Sequence, residues 1–102
     1  MFKLANNAST VGTWRVSEVF VAPARLIEKF GEPATARDRK MSGEYTLRSE
    51  DGDIYALYDW KQTSEYSPSG ISPREFWRST KQIWFHIAGT KPPEVFLPWL
   101  TT

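Results

Sequence analysis

Residues 43–60 carry two alternating runs joined by an Asp-Gly turn, and nothing else in the chain constrains its fold as strongly. In Gly43–Arg48, Tyr45 and Leu47 fall on one side, and Glu44, Thr46 and Arg48 on the other. Glu50-Asp51-Gly52-Asp53 follows, and then the β-forming run Ile54–Trp60. Gly52 tolerates the positive φ that a tight turn between antiparallel strands needs. An antiparallel hairpin is therefore expected here, with the rest of the chain built around it. The carboxylates of the turn lack the closing acidic ligand of a twelve-residue calcium loop, so a turn accounts for them.

The flanking segments supply further elements. Val11–Phe20 is rich in β-formers and predicts a first strand, placed near its N-terminal half. Pro23 suits the first turn of a helix, because its missing N–H would have no partner there. Leu26, Ile27 and Phe30 then share a face, and Gly31 and Pro33 mark the stop. Ser72-Pro73-Arg74-Glu75 has the form of a capping box opening a helix to about Lys81. Ile83–Ile87 predicts a third good strand, with Ile83, Phe85 and Ile87 on its core side. Pro92, Pro93 and Glu94 open a last helix carrying Val95, Phe96, Trp99 and Leu100, shortened or kinked by Pro98. The order along the chain is β-α-β-β-α-β-α. It predicts one α+β domain over residues 1–102, a small antiparallel sheet with short helices packed on one face.

Composition narrows the chemistry. The 102 residues contain no Cys, which excludes disulfides, thiol nucleophiles and thiolate metal sites. A single His excludes any site with two His ligands from one chain. Thirteen Lys and Arg against twelve acids give a net charge of +1, which argues against nucleic acid as partner. No apolar run approaches the ~20 residues that span a bilayer, and Met1–Ala8 is too polar for a signal peptide, so a cytoplasmic protein without membrane contact is expected. Aromatics reach 15%, with five Trp. That surplus is compatible with a homodimer.

Several residues are candidates for ligand contact. Period 2 puts Ile54, Ala56, Tyr58 and Trp60 on one face of their strand, and Tyr55, Leu57 and Asp59 on the other. Strands are commonly aromatic for packing alone, so Tyr58 and Trp60 are read first as a core face. The second reading is a stacking platform beside Lys61. His86 falls with Trp84 and Ala88, which places it near Asp59 on a neighbouring strand and suits it to bind a polar group of a ligand. A Ser64–His86–Asp59 triad can be drawn, but no nucleophile elbow accompanies it. Arg37-Asp38-Arg39-Lys40 is either a solvated loop or an anion clamp, with Arg37 and Lys40 its better members. Tyr66, in the long 63–72 loop, and the helix carrying Arg74 and Arg78 form a surface decoration or a lid. Arg74, Arg78 and Lys81, with Phe76 and Trp77, offer a partner patch. Gly89-Thr90-Lys91 is rejected as a phosphate loop because Pro92 and Pro93 lack the donors it needs.

Phe30-Gly31-Glu32-Pro33, Lys40, Ser42-Gly43-Glu44-Tyr45, Tyr58-Asp59-Trp60-Lys61 with Thr63-Ser64 and Tyr66, and Trp84-Phe85-His86-Ile87-Ala88-Gly89-Thr90 together form a pattern. It resembles a family of small proteins encoded by bacteriophages and large DNA viruses, over roughly Gly12 to Leu100. The family's last motif is usually Trp-His-Ile-Gly-Gly. Here Phe85 is inserted, and Ala88 replaces a Gly. The resemblance implies viral origin, a small α+β fold and, by the company such proteins keep, antagonism of host antiviral defence. It carries over no catalytic residue. The expected activity is non-enzymatic, without cofactor or metal. The protein would sequester a small, anionic, nucleotide-like signal or block a host defence protein. The expected ligand residues are Arg37, Lys40, Tyr58, Trp60, Lys61, Tyr66, Trp84 and His86, in a pocket between the second face of the sheet and the 61–82 loop or between subunits.

Overall fold

The computed structural model describes residues 2–35 and 40–102. Among them lie six strands and three short helices: β1 (Phe2–Leu4), β2 (Trp14–Val21), α1 (Pro23–Phe30), β3 (Ala34–Thr35), β4 (Gly43–Ser49), β5 (Ile54–Tyr58), α2 (Pro73–Trp77), β6 (Ile83–Gly89) and α3 (Phe96–Leu100). The strands form one sheet in the order β1-β4-β5-β6-β2, and β3 also pairs with β4. Every pairing between these strands is antiparallel. The α+β class holds, and so does the β4–β5 hairpin, whose Gly52 has φ 89°.

The strand expected first, over Val11–Phe20, is β2, preceded by β1, and it begins at Trp14 rather than near Val11. The carbonyl of Thr10 accepts from Thr13 N at 3.1 Å and Thr13 Oγ1 at 2.7 Å, which holds the preceding residues in a turn. The helix after Ser72 is one turn long and stops before Lys81. Its cap is as expected, with Glu75 N donating to Ser72 Oγ at 3.2 Å.

Register separates the two faces. Tyr45, Leu47, Tyr55, Leu57, Phe85, Ile87 and Val19 point to one side, where the helices add Leu26, Phe76, Trp77, Phe96 and Leu100 to a common core. Rings dominate it. Tyr55 stacks on Phe96 with centroids 4.4 Å apart, and Phe2 packs edge-on against both. Phe76 and Trp77 are buried in this core, so they are not the exposed partner patch expected from the sequence.

Among the described residues the other face carries no helix. One row of it, Thr46, Ala56 and Ala88, is nevertheless buried. β1 and β2 lie at opposite edges of the sheet, so the 5–13 connection has to cross its width. It is tied to Thr46 by Ala5 N donating to the Thr46 carbonyl at 2.7 Å and by Thr46 N donating to Asn6 Oδ1 at 2.9 Å. Small side chains in this row leave room for a crossing segment. The remaining part of the face, toward Trp60 and Trp84, holds the candidate site.

Candidate functional site

Two adjacent rows build the site. Cross-strand register aligns Glu44, Tyr58, His86 and Glu18 across four strands. Beyond them Trp84 lies opposite Phe20, and Trp60 extends the line of β5. Tyr58 and Trp60 are thus on the face without helices. The core-face reading is wrong, because the helices cover the Tyr55–Leu57 side, where Phe96 and Phe85 complete the packing.

Trp60 is the hub. Its ring stacks on His86 with centroids 5.6 Å apart and planes 20° from parallel. Tyr58 stands edge-on to both rings, at 6.2 Å from Trp60 and 5.7 Å from His86. Lys40 Nζ lies 5.6 Å and Lys61 Nζ 5.8 Å from the Trp60 centroid, within cation–π range. Lys61 Nζ is also 5.1 Å from the Tyr66 ring. Lys61 reaches both rings from a left-handed backbone, φ 58°, and its N–H donates to the Lys40 carbonyl at 2.6 Å. A non-glycine residue in that conformation costs on the order of 1–3 kcal/mol, and such strain gathers at functional sites.

Beside this hub, Trp84 packs on Phe20 at 5.0 Å, and both rings are about half exposed. An open depression of about 550 Å³ adjoins them, lined by Arg15, Val16, Ser17, Glu18 and Trp84. Arg15 forms an ion pair with Glu18. Burial, and then the positive charge of Arg15, lower the pKa of His86. Burial raises that of Tyr58, Arg15 opposes the rise and Glu44 adds to it, so the phenol keeps its proton at neutral pH.

Asp59 is on the opposite face, fully buried, so it cannot orient His86. Its carboxylate accepts from Ser42 N at 2.8 and 3.0 Å, Ser42 Oγ at 2.7 Å and Gly43 N at 2.9 Å. Trp77 Nε1 donates to Ser42 Oγ at 2.9 Å and completes the network. Burial raises the Asp59 pKa, and the bonds from Gly43 and Ser42 offset part of that rise. This is a structural anchor for the start of β4, and the paper triad is overturned. Ser64, its third member, is exposed on the loop after Thr63.

The structure thus gathers Lys40, Tyr58, Trp60, Lys61, Tyr66 and His86 through direct contacts and places Trp84 two residues from His86 on the same face. Arg37 lies outside the described residues. The 61–82 segment borders the site only at its start, since Phe76 and Trp77 take its later part to the helix face. Sequence reasoning missed Phe20 and Arg15. Each sat in a strand with the right periodicity, but only the cross-strand register puts Phe20 opposite Trp84. Among the described residues no helix is long and apolar enough to cross a membrane. The chain matches no family model and no curated protein.

Proposed function

We propose that this is a small viral binding protein that antagonises host antiviral defence by holding a nucleotide-like signalling molecule without turning it over. The observation that carries the ligand is the convergence of two lysine ammonium groups on Trp60 beside the half-exposed Trp84–Phe20 pair. A base stacks on Trp84 next to the Arg15 depression. Its phosphate meets Lys40 and Lys61, and His86 between them hydrogen-bonds the sugar or the phosphate. Trp60 positions both lysines and His86 and is not itself the open stacking surface, since its ring already faces these three groups. The viral setting rests on the sequence resemblance alone.

A second reading, blockade of a host defence protein, is favoured by one observation. Phe20 on the edge strand β2 and Trp84 beside it on β6 are both about half exposed, and such rings anchor protein interfaces.

Native mass spectrometry of the protein purified from infected cells separates the two. A retained, chemically intact mass in the nucleotide range, lost in a folded Trp84→Ala variant, is the expected result. A co-purifying host protein with no small molecule would move the function to the second reading. Release of a hydrolysed product would overturn both.

A further inference from the structure

We infer that the ligand carries two bases joined through phosphate, an inference that rests on the nucleotide reading above. The evidence is the arrangement of exposed rings around the cations. Contacts run from Tyr66 to Lys61 at 5.1 Å, from Lys61 to Trp60 at 5.8 Å and from Trp60 to His86 at 5.6 Å. Trp84 follows on the same face of β6, two residues from His86 and so about 6.7 Å along the strand. Tyr66 is 46% and Trp84 53% exposed, while Trp60 between them is covered by Lys40, Lys61 and His86. Two open rings therefore bracket one positively charged centre.

A mononucleotide uses one of these rings and leaves the other in water. A dinucleotide lays its linking phosphate on Lys40 and Lys61, one base on Trp84 and the other on Tyr66. The left-handed Lys61 has a role in this arrangement, because its turn starts the loop that brings Tyr66 to the same ammonium group. Glu44 and the Arg15-paired Glu18 stand at the two ends of the Tyr58–His86 row, so the row adds no positive charge beyond the central lysines. With a net charge of only +1, the chain also lacks the field that a long single strand requires. Free dinucleotide is thus favoured over a stretch of nucleic acid.

Calorimetric titration with three probes tests this: adenosine monophosphate, 3′,5′-linked diadenosine monophosphate and a single-stranded adenine decamer. The dinucleotide is expected to bind roughly tenfold or more tighter than the mononucleotide, the gain that one added base stack supplies. Tyr66→Ala changes an exposed side chain and is expected to remove that advantage in a protein that remains folded by circular dichroism. Equal affinities for mono- and dinucleotide, or an advantage that survives Tyr66→Ala, would overturn the two-base inference and leave the nucleotide reading standing. Failure of all three probes to bind would remove the nucleotide reading itself. A decamer that outcompetes the dinucleotide by much more than the roughly tenfold statistical gain of its overlapping steps would overturn the assignment to a free dinucleotide.

Discussion

Two titratable side chains on opposite faces of one sheet show how burial assigns roles. Asp59 carries a buried carboxylate whose oxygens are used by Ser42 and Gly43. Replacing it with Ala would leave two buried backbone donors and a hydroxyl without their acceptor. An unsatisfied buried group costs about 1–3 kcal/mol, so Asp59→Ala should lose about 3 kcal/mol or more, read as a lower urea midpoint. Trp77 should respond too, because its indole N–H is anchored through Ser42. His86 is perturbed in the other sense. Its folded pKa is lowered from 6.5 by burial first and by Arg15 second. The unfolded chain therefore binds a proton more readily than the folded one in the window just below pH 6.5. The stability this group contributes is complete above its unfolded pKa and is lost as pH falls through the folded value. Urea midpoints should drop as pH falls below the unfolded value of 6.5, and His86→Gln should lack that part of the drop. An unchanged pH profile in His86→Gln would show that His86 does not couple to folding.

At the scale of elements, close approach explains Gly89, which ends β6 opposite Tyr55. A Cβ at this position would lie 2.6 Å from Tyr55 Cδ1 and 2.7 Å from Cε1. The ring cannot retreat, because Phe96 stacks on it at 4.4 Å and its hydroxyl donates to the Pro92 carbonyl at 3.0 Å. Gly89→Ala should therefore cost about 1–3 kcal/mol by overpacking, and should broaden the aromatic NMR resonances of Tyr55 and Phe96. Elements with strong local signals were legible in the sequence. Alternation and Asp51-Gly52 gave the β4–β5 hairpin, Pro23 and Gly31 bounded α1, and Ser72 with Glu75 gave the start of α2. β1 and β3 were not legible, since three and two residues are too few to show a period and they exist only by pairing with β4. The site was half legible. Period 2 put Tyr58 with Trp60 and His86 with Trp84, but a period cannot say which face the helices cover. Tyr55 and Leu57 look no more core-like in sequence than Tyr58 and Trp60. The cation–ring contacts at Lys61 depend on a left-handed residue that no local signal announces.

Across the whole molecule the asymmetry of the two faces links stability to function. All three helices bury apolar side chains on one side of the sheet, and that side holds the core. Among the described residues, the 5–13 connection is tied to the other side at Thr46, and the proposed site lies on that side's aromatic residues. The proposed binding residues and the apolar core thus occupy opposite faces of the same strands, and hydrogen exchange can read the separation. β5 is flanked by strands on both edges and β6 likewise, so their amides have partners and a packed face. β1 pairs through only three residues, although Phe2 inserts among Tyr55, Phe96 and Trp99. Native-state exchange should be slowest in β5 and β6, at free energies near global unfolding. It should be faster in β1, and fastest over the 63–70 loop, where Ser64, Glu65, Tyr66, Pro68 and Ser69 are exposed. Ligand should then slow exchange around Lys61–Tyr66 and at Trp84 while leaving the β5 core amides near their global limit, apart from the shift that mass action gives every globally exchanging site. Uniform slowing with no extra protection at Lys61–Tyr66 would place the ligand away from the aromatic platform and would contradict the division of labour between the two faces.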